Sequence, residues 1–253
     1  MTEISHTETF QAVLFDLDGT LLPMDQDIFV KDYFSRLAAK AAPRGYEPGK
    51  LVESIWKCTG AMMKNDGRQT NEKVFWEAFS GIYGEKALQD IGLFEDFYKN
   101  EFQKSQSVCG KNEKAVRIVQ ELKASGARVI LATNPIFPSI ATESRIRWAG
   151  FEPSDFEFYT TYENSYFSKP NPLYFQKICE KRNLDPSKCL MIGNDASEDT
   201  AAGKIGMKVF LVTDCLINRE NADLSAYPQG SFEDLEKYLS QMSMFSTSAK
   251  KPE

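Results

Sequence analysis

Any chemistry in this chain has to run on carboxylates, lysine and hydroxyls. The single histidine, His6, sits in the polar leader MTEISHTETF. A Ser-His-Asp triad, a Cys-His pair or a histidine-rich zinc site would need an imidazole in the folded body. The remaining candidates are grouped. Asp16-Leu17-Asp18-Gly19-Thr20 places two carboxylates two residues apart, ahead of a glycine that permits a tight turn. Thr133-Asn134-Pro135 follows VILA, and Lys169 lies in SKPNPLYF. Gly193-Asn194-Asp195-Ala196-Ser197-Glu198-Asp199 packs acidic and amide groups into a short span. Each group also has an ordinary structural reading. Asp-Gly is a common turn signal, Thr-Asn can cap a helix at FPSIATE, a lysine before proline is commonly a solvated loop residue, and acidic residues suit a helix N-terminus.

The elements that would position these groups follow from periodicity. QAVLF (11–15) reads as a buried strand that stops at Asp16. From about Asp25 to Gln106 the apolar residues recur at helical spacing in DIFVKDYFSRLAAKAA, LVESIWKCTGAMM, NEKVFWEAFSGIY and LFEDFYKNEF, which predicts an all-helical block of about four helices. After Gly110 helix and strand alternate. EKAVRIVQELKASG, FPSIATESRIRWAG, NPLYFQKICEKRN, SEDTAAGKIG and SFEDLEKYLSQM read as helices, and ARVILAT, FEFYTT, KCLMIG and MKVFLVT as strands. Such alternation implies a parallel sheet covered on both faces, with ligands bound beyond the carboxyl ends of its strands. Asp16, Thr133 and Asp195 each come just after an apolar strand, so all three are expected at one edge of the sheet.

Composition narrows the class further. The 253 residues are 42% hydrophobic and 26% charged, with a net charge of −6, ordinary for a globular protein and without the positive charge that attracts nucleic acid or anionic membrane. No apolar run is long enough to span a bilayer, and the leader has no basic start or apolar stretch, so neither a membrane span nor a signal peptide is expected. The five cysteines (Cys58, Cys109, Cys179, Cys189, Cys215) are scattered, odd in number and without a CxxC pair, which reads as reduced thiols in a cytoplasmic protein.

Taken in order, DLDGT, the strand followed by Thr-Asn, Ser-Lys-Pro and GNDASED resemble the motifs of the haloacid dehalogenase superfamily of phosphohydrolases. The resemblance covers residues 11–22 and 108–240, and the helical block resembles the cap that this superfamily inserts after its first motif. It implies an α/β fold, a three-layer Rossmann-like parallel-sheet core (1–22 and 108–253, with the tail from about 243 disordered) and an all-helical cap (23–107). Segments 23–25 and 107–110 would be the hinges, and closure of the cap would exclude water.

The residue roles that the resemblance implies are these. Asp16 attacks phosphorus and forms an aspartyl-phosphate, and Asp18 protonates the leaving oxygen and later deprotonates water. Thr133 and the backbone near Asn134 hold phosphoryl oxygens, and Lys169 offsets charge on Asp16 and the phosphoryl group. Mg²⁺ is bound by Asp16, the Asp18 carbonyl and Asp195, with Asp199 orienting the metal shell or Lys169. The commonest family form has Gly-Asp where this chain has Gly193-Asn194-Asp195, so Asn194 is the alternative ligand.

A phosphate approaching a carboxylate is repelled by roughly 4 kcal/mol per charge pair at 4 Å and an effective dielectric of 20, so such a site must supply positive charge. Oxygen ligands suit magnesium better than zinc. Asp18 is what haloacid dehalogenases of this superfamily lack. It points to a magnesium-dependent phosphohydrolase of a small phosphorylated metabolite or to a sugar phosphomutase, and the class-level rival is a non-catalytic binding or regulatory module. A monomer or weak homodimer is expected. The aromatic residues of the block, Trp56, Phe75, Trp76, Phe79, Tyr83, Phe94 and Tyr98, are expected mainly in its core. Lys57, Lys64 and Arg68 are candidates for an anionic substrate group or for a solvated face.

Overall fold

The computed structural model describes residues 10–242. His6 and the tail for which disorder is expected lie outside the described residues. The backbone alternates as the sequence predicts. Strands β1 (Ala12–Phe15), β2 (Arg128–Leu131), β3 (Phe158–Tyr159), β4 (Cys189–Gly193), β5 (Lys208–Val212) and β6 (Gln229–Gly230) form one sheet in the order β3-β2-β1-β4-β5-β6. Every pairing is parallel, and β1 lies between β2 and β4, with Phe15 opposite Leu131 on one side and Ile192 on the other.

Side-chain alternation then makes two cores. Val13, Phe15, Val129, Leu131, Leu190 and Ile192 face one layer, which helices α6 (Glu113–Ala124), α7 (Ser139–Trp148) and α9 (Phe232–Ser240) help to build. Ala12, Leu14, Ile130, Cys189 and Met191 face the other, under α8 (Pro172–Arg182) and the 3-10 turn Thr200–Ile205. Burial on both faces is why these strands read as continuous apolar runs.

Between β1 and α6 the chain is helical throughout: α1 (Gln26–Ala41), α2 (Pro48–Met63), α3 (Asn71–Tyr83), α4 (Glu85–Gln89), α5 (Ile91–Lys99) and a 3-10 segment, Glu101–Val108. Polar caps start these helices. Asp25 accepts from the backbone of Asp27 and Ile28, Thr70 accepts from Lys73, and Pro48 fills the first turn of α2. The segment read as one helix over LFEDFYKNEF divides at Asn100, where the backbone leaves helical geometry (φ −120°, ψ −75°). The chain enters and leaves this block side by side. Met24 and Cys109 form an antiparallel bridge, and Gly110 N donates to Pro23 O at 2.7 Å.

Two kinds of contact hold the block on the sheet layer. One is aromatic: fully buried Phe102 lies against Trp148 of α7 (ring centroids 5.0 Å apart) and Phe137 (6.4 Å), and Tyr33 of α1 also meets Phe137 (5.5 Å). The other is polar. Asn71, wholly buried at the start of α3, donates to Pro135 O and Ser168 Oγ, both at 3.0 Å, and accepts from Asn65 at 2.8 Å. Phe102→Ala should cost about 3–5 kcal/mol, the usual range for emptying a buried aromatic site. A urea titration showing less than about 1 kcal/mol would show that the block is not held through this ring.

Candidate active site

Asp16 is reached at the end of the central strand, where its backbone N–H still donates to Ile192 O (2.9 Å). The chain then coils into a compact loop: Gly19 N donates to Leu22 O and Leu22 N to Leu17 O, both at 2.8 Å, with Leu17, Leu21 and Leu22 buried beneath. Gly19 is required there. Its φ is +83°, and a Cβ would lie 2.2 Å from Asn194 Nδ2. This close approach lets Thr20 Oγ1 donate to Asn194 Oδ1 (3.0 Å), while Asn194 Nδ2 donates to Cys215 O (2.7 Å). Asn194 thus ties the first loop to the segment after β5. Its amide is engaged at both ends, and both Asn194 and Asp195 line the cleft.

The structure brings together the polar groups singled out in the sequence. Lys169, with no exposed surface, donates to Asp16 Oδ1 at 2.8 Å and to Asp199 Oδ1 at 2.6 Å. Asp199 Oδ2 also accepts from Asp195 N (2.9 Å), and Gly193 has no side chain because a Cβ would fall 2.0 Å from that oxygen. Of the two roles open to Asp199, the geometry favours orienting Lys169. Asp195 Oδ1 accepts from the backbone of Ser197 and Glu198, both at 2.8 Å. Thr133 is buried beside the cleft, its carbonyl held by Thr160 Oγ1 (2.6 Å) and Tyr174 OH (2.8 Å). Asn134 Nδ2 donates across the cleft to Glu198 Oε1 (2.8 Å).

Two groups at the site carried little sequence signal. Arg145, on α7, is fully buried, ion-paired with Asp18 Oδ2 and stacked 4.3 Å over the Phe137 ring. In sequence it reads as an ordinary basic residue in the last turn of a helix. Glu198 was visible only as one more acid in its motif. The other oxygen of Asp18, Oδ1, is buried without a hydrogen-bond partner among the described residues. The basic candidates Lys57, Lys64 and Arg68 are all exposed and absent from the cleft lining, and Arg68 pairs with Asp66.

The electrostatics follow from burial. Burial pushes Asp16 up to about 7, against the attraction of Lys169 and reinforced by Asp199 and Asp18. Burial likewise raises Asp18, with Arg145 and then Lys169 pulling back. Glu198 is pushed to about 8 by burial and by its acidic neighbours, against Lys169. Burial would lower Lys169, but Asp16 and Asp199 outweigh it and hold the ammonium well above the usual lysine range.

Five carboxylates (Asp16, Asp18, Asp195, Glu198 and Asp199) stand against Lys169 and Arg145, a formal excess of three negative charges. That excess suits a hard divalent cation. No preformed cluster of three acidic or thiol ligands exists among the described residues. A magnesium ion would take one or two carboxylates and complete its shell with water and substrate phosphate. Asp16, Asp195 and the Asp18 carbonyl could hold it.

Residues 10–206 match the family model for haloacid dehalogenase-like hydrolases. The chain is 24% identical over 193 residues to pyrophosphatase PpaX of Bacillus velezensis, covering 76% of this chain and 78% of that protein. Its fold is similar to that of a 2-haloacid dehalogenase from Pseudomonas syringae (TM-score 0.61, 18% identity, 92% of this chain and 99% of the other). It is also similar to a structure described as a predicted phosphoglycolate phosphatase from Haemophilus somnus (TM-score 0.57, 17% identity, 91% and 98%).

The raised carboxyls fix a sign for stability. Glu198 and Asp16 keep protons in the folded, metal-free protein at pH values where the unfolded chain has released them. Their contribution is complete below about pH 4 and is lost as pH rises through 7 to 8. Metal-free protein should lose on the order of 1–3 kcal/mol between pH 5 and 8, Glu198 being partly screened by solvent. Glu198→Gln should flatten that slope in urea titrations. A slope that the substitution leaves unchanged would remove Glu198 as its source.

Proposed function

This chain belongs to the haloacid dehalogenase-like hydrolases, and from that premise we propose that it hydrolyses a small phosphate monoester in two steps through Asp16. The observation that carries the reading is the pair of bonds from buried Lys169 to Asp16 and Asp199 at the carboxyl edge of the sheet, with Asp18 beside them. In the first step an Asp16 carboxylate oxygen attacks phosphorus and the bond from phosphorus to the ester oxygen breaks. Asp18 gives that oxygen its proton, so the alcohol leaves neutral. In the second, water attacks the phosphorus of the aspartyl-phosphate, Asp18 takes the water's proton, and the Asp16 carboxylate is released with inorganic phosphate.

Asp18 is built for this alternation in a specific way. Oδ2 is held by Arg145, which fixes the carboxyl, whereas Oδ1 is buried without a partner and is the atom on which a proton can be carried. Lys169 stays charged and lowers the cost of bringing a phosphate dianion to Asp16. Thr133 and the backbone at Asn134 would position phosphoryl oxygens. Bound magnesium, held by Asp16, Asp195 and the Asp18 carbonyl, would neutralise charge on the transferring group. The helical block 23–107 would act as a cap over this edge, with 23–25 and 107–110 as its hinges. Reduced cysteines keep the cytoplasm as the proposed location. No helix among the described residues is long and apolar enough to cross a membrane.

A phosphomutase would hold a second phosphate over the same site. Among the described residues lining the cleft, the helical block contributes no lysine or arginine, so hydrolysis is the reading the geometry favours. The direct test is magnesium-dependent release of para-nitrophenol from its phosphate. Asp16→Asn should lower kcat by at least about 10³ while leaving the folded spectrum intact, as expected for removing a nucleophile. Activity retained in that variant would refute the assignment of Asp16. A steep fall for Lys169→Met, about 10² or more, is expected in the same assay.

A further inference from the structure

Beside the cleft at the sheet edge lies an apolar hollow. The cleft that holds Asp16, Asp18 and Asp195 has a volume of about 430 Å³. A second cavity, of about 100 Å³, lies between the helical block and the turn at 136–138. The two share a wall made by Val30, Trp56, Thr59, Ile136 and Phe137. Behind that wall the cavity is closed mainly by rings, among them Phe34, Trp76 and Tyr98, and the hydroxyl of Tyr98 is already paired with that of Tyr33 at 2.9 Å.

Trp56 sets this region apart from a closed core. Most aromatic residues of the block bury their rings, as expected from their spacing, but Trp56, which lines both spaces, is 52% exposed and 5.4 Å from Phe34. The charge pattern points the same way. Arg219 is the basic residue among the described residues lining the cleft, and it lies at the rim, 3.6 Å from Asp27. A carboxylate or second phosphate on the leaving group would face ring edges and methyl groups without a countercharge.

We propose that the substrate is the phosphate ester of a primary alcohol carrying a compact, uncharged branched alkyl group that packs against Trp56 while the phosphoryl group meets Asp16. This rests on the phosphatase reading above and adds the class of leaving group. The size is appropriate: an apolar cavity of about 150 Å³ can hold benzene, so this hollow takes a somewhat smaller group with the rest of the alcohol in the cleft. Pyrophosphate and phosphoglycolate, which appear in the names of similar proteins, carry charge at both ends and do not match it.

The test uses the full chain with magnesium. Values of kcat/KM are compared for 3-methylbutyl phosphate and 2-methylpropyl phosphate against glycerol 3-phosphate and 3-phosphoglycerate, all esters of primary alcohols with similarly poor leaving groups. The apolar pair should be favoured at least tenfold. In parallel, calorimetric titration should show 3-methylbutylphosphonate binding at least tenfold more tightly than 2-hydroxyethylphosphonate. Trp56→Ala should narrow both ratios at least threefold, and Trp56→Phe should recover most of the difference. Equal or reversed affinities for the two phosphonates would overturn the inference whether or not any ester is hydrolysed. A binding preference without hydrolysis of any ester would uphold the apolar subsite and overturn the phosphatase reading instead.

Discussion

Carboxylates gathered at the end of a parallel sheet repel one another by several kcal/mol unless a cation stands between them, and here Lys169 does so from a fully buried position. Its two bonds join residues far apart in the chain, Asp16 after the first strand and Asp199 after the fourth. The consequences spread outward. Asp199 uses its second oxygen to fix the backbone of Asp195, and Gly193 gives up a side chain so that Asp199 can approach. Arg145 performs a parallel service for Asp18 from the opposite layer. The two cations still leave the site with a formal excess of negative charge.

The helical block faces this charged edge with a surface of another character. It contributes Val30, Trp56, Thr59 and Met63 to the cleft wall, and its exposed lysines lie elsewhere. The sheet edge thus carries most of the charge of the cleft, and the block adds mainly apolar side chains together with Gln26 and Asp27. Solved structures of similar fold carry names of both dehalogenases and phosphatases, so the fold by itself does not select a reaction.

Much of this was readable in the sequence for a physical reason. Strands buried on both faces are apolar without interruption, so their ends are visible, and Asp16, Thr133 and Asp195 stand at those ends. Helices with one apolar stripe were equally visible. What was hidden depended on tertiary placement. Arg145 sits on a helix, SIATESRIRW, that is buried almost all round with polar residues, so no stripe marked its inward side. The two-residue strand β6, Gln-Gly, has no apolar signature at all. Trp56 and Trp76 share the same kind of helical spacing, and only the packed structure shows which ring is left half in water. Asn194 illustrates a register that spacing leaves open, since it and Asp195 both line the cleft.

The buried amide of Asn71 joins the root of α3 to Pro135, next to the Thr133-Asn134 turn, and to Ser168, next to the site lysine. That flank of the block is stitched to the same two loops that would handle the phosphoryl group. Elsewhere the rim of the cleft is made by Gln26, Asp27 and Arg219, with Asp27 and Arg219 largely in water. A buried, hydrogen-bonded root at α3 and a solvated rim at α1 give the two flanks of the block unequal holds on the cleft.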